Sequence, residues 1–265
     1  MSGRVEGKVA IVTGGASGIG AETCRRLAAE GAQVLPTDVN EELLAQVAAE
    51  IGERADPVAH DVSDEDRWRE VVAHALERHG RLDILVNNAG IAVQGTIEDT
   101  PLETWRRIHA VNAEGVFLGC KHAIPAMRAS GGGSIVNISS LAALRGTPIY
   151  AAYSASKGAV CALSRTVAIH CIERGDPIRC NSIHPGGVNT PMVHALVKQG
   201  TGLDVASMDP AVVRQNLGMG DPVDIANLIL FLASDESAYV NGAELCIDGG
   251  ATAGTPPQRP PAAGS

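Results

Sequence analysis

Short apolar, β-branched runs alternate along the chain with longer stretches whose apolar residues recur at helical spacing. Residues 8–13 (KVAIVT) are the first such run and end in glycines, the pattern of a strand buried on both faces. Runs at 33–37, 57–59, 82–86, 134–138, 178–183 and 244–247 predict six more strands. Between them, residues 19–30, 41–51, 64–79, 102–127, 153–171 and 222–233 carry helical periodicity. Gly31 is placed to stop the first helix and Ser63 to cap the third. Parallel neighbours need crossover helices. The pattern therefore predicts an α/β fold: a single-domain, Rossmann-type, doubly wound parallel seven-stranded sheet with helices on both faces.

No Pro/Ser-rich linker interrupts this order, so residues 1–251 are expected to form one catalytic domain. Residues 193–220 stand outside the regular alternation. They carry Gly, Pro and Met around weak helical signals, as a mobile lid over the strand ends would, or an ordinary surface insertion. The Pro-, Gly- and Ala-rich tail, 252–265, is expected to be disordered or to order only against a partner.

Composition narrows the function classes. The 265 residues are 45% apolar and 19% charged, with a net charge of −9. No Lys/Arg cluster offers a nucleic-acid surface. No run approaches the ~18 uninterrupted apolar residues of a membrane span, and no export signal opens the chain. The six cysteines lack any CxxC pair, so they read as reduced thiols in a cytoplasmic protein. The eight histidines include no HxxxH pair, and no metal is expected.

The chemistry begins at Thr13-Gly14-Gly15-Ala16-Ser17-Gly18-Ile19-Gly20, between the first strand and the first helix. A doubly wound sheet places a dinucleotide pyrophosphate there, on the unpaired N–H groups of a helix N-terminus. Gly14 permits the sharp turn, Gly18 removes a Cβ where phosphates approach, and Gly20 lets helix and sheet pack closely. Asp38, at the end of the second strand, can accept from both adenosine ribose hydroxyls and would repel a 2′-phosphate. Ser17 and Val39 supply no compensating cation, which favours NAD over NADP. The alternative for Asp38 is a role at the start of the next helix.

The ordered motifs TGxxxGxG, Asp61-Val62, Asn87-Asn88-Ala89-Gly90, Asn112, Ser140, Tyr153-Ser154-Ala155-Ser156-Lys157 and Pro185-Gly186 resemble those of the short-chain dehydrogenase/reductase family. The resemblance spans residues 7–250. It implies that Asp61 and Val62 bracket the adenine and that Asn88, Ala89 and Gly90 line the cofactor floor. It also implies that Pro185, Gly186, Val188 and Thr190 lie along the nicotinamide. Asn112, Ser140, Tyr153 and Lys157 become the catalytic set. Tyr153 and Lys157, at i and i+4, leave one helix face. A free phenol has a pKa near ~10, and work as a base near neutrality requires lowering it by roughly 3 units, about 4 kcal/mol. A close Lys157 and a positive nicotinamide are expected to provide that field. Ser140 is expected to hold the substrate oxygen, and Asn112 a water linking Lys157 to solvent.

Candidate substrate walls are Ser140, Ala142, Leu144, Tyr150, Gly187, Met192 and Leu196, with Gln94 among further neighbours; most are apolar. This suits a small hydrophobic alcohol or ketone. Within the family the chain is most similar to bacterial 3β/17β-hydroxysteroid dehydrogenases, through Phe117-Leu118-Gly119-Cys120, the stretch 178–185 and Thr190-Pro191-Met192. A steroid alcohol is the leading expectation, and a smaller alicyclic or aryl alcohol the alternative. A non-catalytic NAD sensor would explain the glycine turn but not the Ser/Tyr/Lys set. The small residues of helix 153–171 and the habit of the family predict a homotetramer.

Overall fold

Alternation decides which side of the sheet each strand residue serves. In the first strand Ile11 belongs to one core, while Ala10 and Val12 belong to the other. Leu85 against Ile84 and Val86, and Ile135 against Val136, repeat the division. A sheet buried on both faces follows.

The computed structural model describes residues 3–254. In chain order the elements are β1 (Val9–Thr13), α1 (Gly18–Ala29), β2 (Gln33–Asp38), α2 (Glu41–Ile51), β3 (Val58–Ala59), α3 (Glu65–His79) and β4 (Ile84–Asn87). They continue with α4 (Leu102–His109), α5 (Gly115–Ala129), β5 (Gly133–Ile138), α6 (Ala151–Arg174) and β6 (Ile178–Pro185). Last come α7 (Pro191–Thr201), α8 (Pro210–Val212), α9 (Pro222–Ala233) and β7 (Glu244–Ile247). The seven strands form one sheet in the order β3-β2-β1-β4-β5-β6-β7, and every pair is parallel. Trp68, Val71, Val116, Val160 and Val167 carry α3, α5 and α6 onto one face. Cys24, Leu27, Ile225 and Ile229 carry α1 and α9 onto the other. The strand order reverses between β1 and β4, so their carboxyl ends open a crevice where the crossovers part.

Two expectations need correction. Asp64, not Ser63, caps α3: its carboxylate accepts from the backbone N–H of Asp66 and Arg67. Ser63 instead donates its N–H and hydroxyl to Asp61, which lies nearer than the helix. The predicted helix over 102–127 is broken by a π-helical turn, Ala110–Glu114, that inserts an extra residue between α4 and α5. Within the stretch 193–220, α7 starts at Pro191, and Val205 and Val213 are buried. Elsewhere element ends move by a few residues. Of the predicted tail, Thr252 bonds Asp248 through both its N–H and its hydroxyl; residues 255–265 lie outside the described residues.

Candidate active site

The turn after β1 is shaped to admit phosphate. Gly14 has φ +65° and Gly18 φ +52°, values at which a side chain is strained. A Cβ on Gly18 would stand 3.1 Å from Thr190 Cγ2, and one on Gly20 would sit 2.0 Å from the Gly14 carbonyl oxygen. Gly20 therefore joins turn to helix and does not line the cleft. Ser17 begins α1 without a side-chain cap, and the first turn holds no acid, so the helix N–H groups stay available to an anion. Thr13, passed over as a site residue, secures the neighbouring loop. Its Oγ1 accepts from the N–H groups of Asn88 and Ala89 at 3.0 Å each, while Asn88 Nδ2 donates to the Thr13 carbonyl at 2.9 Å.

The crevice is a cleft of about 710 Å³. Gly14, Ser17, Gly18, Ile19, Asp38, Val39, Asp61, Val62, Asn88, Ala89, Gly90, Pro185, Gly186, Val188 and Thr190 line it together with Ser140, Tyr153 and Lys157. At its β2 end Asp38 accepts from the Ala16 and Asn40 N–H groups at 3.2 and 3.0 Å. Asn40, not Asp38, caps α2 by accepting from Leu43 N–H. The Ser63 bonds hold the Asp61 carboxyl below its ordinary pKa. Arg107 and His60 also line the cleft, although no sequence motif marks them.

At the other end, Ser140 follows β5 and opens a short 3₁₀ turn, accepting from Ala142 N–H at 3.1 Å. Tyr153 and Lys157 stand on the first two turns of α6. Lys157 is buried, and its Nζ donates to the Ile138 carbonyl at 2.7 Å, lying 5.8 Å from the Tyr153 ring centre. Burial pulls Lys157 down to about 8. Tyr153 departs from expectation. Burial pushes its hydroxyl above the ordinary phenol value, and a hydrogen bond with Ser140 opposes that shift. The Lys157 ammonium is turned to the Ile138 carbonyl.

Asn112 is wholly buried in the π-helical turn. Its Oδ1 accepts from Ile91 N–H at 2.8 Å, and its Nδ2 donates to the Ile91 carbonyl and to Ser156 Oγ at 2.9 and 3.1 Å. The side chain is thus engaged by protein groups. It props the loop at Gly90, where a Cβ would stand 3.3 Å from Asn112 Oδ1 and 3.4 Å from Lys157 Nζ.

Of the expected substrate walls, Ser140 and Met192 line the cleft; Ala142, Leu144, Tyr150, Gly187 and Leu196 do not. Gln94 explains two of these. Its Nε2 donates to the Leu196 carbonyl at 3.0 Å and lies 3.4 Å from the Tyr150 hydroxyl, drawing α7 and the start of α6 into a clasp. Leu144 and Gly187 are exposed. Cys161, His184 and Glu244 bring three potential ligand atoms within 4.8 Å of one another. Glu244 is paired there with Arg165, and the His184 nitrogens are occupied by Ser140 and Ser182. Among the described residues no helix is long and apolar enough to cross a membrane.

Residues 14–252 match the family model described as enoyl-(acyl carrier protein) reductase. The chain is 47% identical over 248 residues to a 3-beta-hydroxysteroid dehydrogenase of Comamonas testosteroni, covering 94% of this chain and 97% of that one. It is 43% identical to a cyclopentanol dehydrogenase of a Comamonas species, covering 95% and 99% of the two chains. The solved structure of levodione reductase superposes with a TM-score of 0.86 at 35% identity, covering 94% of this chain and 98% of that one. The fold and the family imply a nicotinamide nucleotide cofactor. With the Ser, Tyr and Lys side chains gathered at the floor of a crevice built for a dinucleotide, the chain belongs to the short-chain dehydrogenase/reductase family and is an oxidoreductase acting on CH–OH groups.

Proposed function

We propose that the chain interconverts a hydrophobic secondary alcohol and its ketone with NAD. The observation that carries this reading is the meeting of Ser140, Tyr153 and Lys157 at one end of a cleft whose other end holds Asp38. The uncapped α1 N-terminus and the glycine turn would take the pyrophosphate. Asp38 would take the adenosine ribose, and Asp61 with Val62 would flank the adenine. Asn88 to Gly90, Lys157, Pro185, Gly186, Val188 and Thr190 would seat the nicotinamide half. A nicotinamide held by these residues would supply the hydride chemistry of the reaction.

The chain's own residues manage the proton. Burial holds Tyr153 protonated, so its hydroxyl is ready to donate to an oxygen that is becoming an alkoxide; in the reverse direction that proton must leave first, and the phenolate then takes the alcohol proton. Ser140 Oγ, hydrogen-bonded to Tyr153, is placed to hold the same substrate oxygen. Lys157, kept buried beside Gly90, supplies positive charge close to that proton. Asn112 supports the floor.

The relatives named for a hydroxysteroid and for cyclopentanol support a neutral ring alcohol. A steroid alcohol is the first choice and a small alicyclic or aryl alcohol the second. The protein is proposed to work in the cytoplasm as a homotetramer. The test is NAD reduction at 340 nm with steroid and cyclic alcohols, NADP in parallel, comparing wild type, Tyr153→Phe and Asp38→Ala. Turnover with NAD that falls by at least about a hundredfold in Tyr153→Phe is expected, as is a narrowed NAD-over-NADP ratio in Asp38→Ala. Undiminished turnover in Tyr153→Phe would overturn the reading.

A further inference from the structure

His184 is the penultimate residue of β6, just before Pro185, and is completely buried. Its Nδ1 lies 3.2 Å from the main-chain carbonyl oxygen of Ser140, and its Nε2 lies 3.1 Å from Ser182 Oγ. A carbonyl only accepts, so Nδ1 carries the hydrogen and donates to Ser140. Nε2 is then an acceptor, and the Ser182 hydroxyl donates to it. Cys161 Sγ, 3.6 Å from Nε2, and the Glu244 carboxylate, 3.9 Å from it and paired with Arg165, lie on the remaining side. The two partners thus fix one tautomer. Burial, with Arg165 and Lys157 acting the same way, keeps the ring neutral against the opposing pull of the Ser140 carbonyl.

The placement answers a local need. The ladder between β5 and β6 pairs residues as far as Ile138 opposite Ile183, and Ser139 N–H donates to the Ile183 carbonyl at 2.8 Å. Pro185 has no N–H with which to extend it. The chain therefore leaves the sheet at Ser140. There the Ser140 carbonyl also accepts from Ala143 N–H at 3.0 Å, but that bond lies inside the turn and moves with it. The His184 ring ties the turn to β6.

We propose that His184 is a positioning residue for the alcohol–ketone reaction, acting through the Ser140 main chain to keep Ser140 Oγ against Tyr153. The proposal rests on the reading of Ser140 and Tyr153 given above. His184 touches neither the cleft nor the reacting atoms; its whole effect passes through Ser140.

The test is a double-mutant cycle in the full-length protein. His184→Leu removes both bonds at similar bulk, and His184→Asn keeps a donor near the Nδ1 position. Each is made alone and in a Ser140→Ala background, with kcat, KM, NADH affinity by fluorescence titration and melting temperature as readouts. His184→Leu is expected to lower kcat by about tenfold to hundredfold with NADH affinity unchanged. His184→Asn should recover most of that loss, and neither variant should lower kcat further once Ser140 is Ala. Additive losses in the Ser140→Ala background, or a His184→Asn as impaired as His184→Leu, would overturn the proposal. Should His184→Leu not fold, Ser182→Ala, which frees the tautomer, is measured in the same cycle with a fewfold kcat loss expected only when Ser140 is present. Tyr153→Phe and Ser140→Ala run alongside. Full turnover in both defeats the reading of the site itself, whereas loss in both with an additive His184→Leu defeats only the positioning role.

Discussion

At the scale of the residue, burial sets the direction in which His60, Tyr153 and Lys157 shift. His60 is 3% exposed, stands edge-on to Trp68 at 4.4 Å and pairs its Nδ1 with Thr37 Oγ1 at 3.1 Å. Its Nε2 has no hydrogen-bond partner among the described residues. Burial first, then Arg67, lowers its pKa to about 4 from the ordinary 6.5, with Asp61 and Asp64 opposing. Below 6.5 the unfolded chain binds this proton and the folded chain does not, so stability falls as the pH drops from 6.5 towards 4. Between pH 7 and pH 5 the loss from this one group is about 2 kcal/mol. Urea melts at the two pH values should show a drop smaller by that amount in His60→Gln, and an unchanged drop would refute the assignment. Residues that act through the backbone were legible in the chain: Gly14 and Gly18 because a turn needs positive φ, and Asp38 because it ends a strand. His184, His60 and Gln94 were not, since each acquires its role from partners distant in sequence, and no spacing encodes a tertiary neighbour.

At the scale of the element, the break between α4 and α5 is the most consequential feature that periodicity missed. Both halves keep a 3.6-residue repeat, so a single inserted residue shifts the face without erasing the pattern. The one visible clue was Asn112, a residue of poor helix propensity in the middle of the predicted helix. The π-helical turn carries Asn112 to the loop after β4, where it takes both backbone groups of Ile91. Asn112→Ala leaves those groups and Ser156 Oγ short of partners, and should destabilise the protein by about 1–3 kcal/mol. Hydrogen exchange at the Ile91 amide should accelerate more than exchange in β4, since the loop loses its prop while the strand keeps its ladder. Equal acceleration in loop and strand would mean that Asn112 serves general packing and not the floor of the cleft. The same logic explains the cap of α3, where Ser63 and Asp64 are equally good caps by type. Only the presence of Asp61 beside Ser63 settles which of them serves the helix.

At the scale of the whole molecule, the sheet places its chemistry at one end and leaves a different surface unaccounted for. On α6, Ala155, Ala159, Ala162, Thr166 and Ile169 are all exposed and recur at alternating steps of four and three. Ile169 and its neighbour Ile172 are 55% and 58% exposed. That spacing draws a seam along one helix face, the pattern by which two helices interlock, and the small side chains at its start permit close approach. The opposite face of the same helix buries Ser156, Lys157, Val160 and Cys161 beneath the site, so the catalytic lysine and the seam share one rigid body. Among the described residues β7 pairs only with β6, which leaves an outer edge that a neighbouring copy would cover. The proposed tetramer therefore uses α6 as a contact, and Ala162→Arg, which puts a long charged chain in the middle of the seam, should halve or quarter the mass. Light scattering after size exclusion measures this directly, and Ala162 is exposed enough that the subunit fold has no reason to fail. Activity per subunit should fall as the mass falls, because freeing one face of α6 loosens the turn that carries Tyr153 and Lys157. A wild-type protein that runs as a monomer, or an Ala162→Arg variant that keeps the full mass, would mean that the seam is only solvated surface.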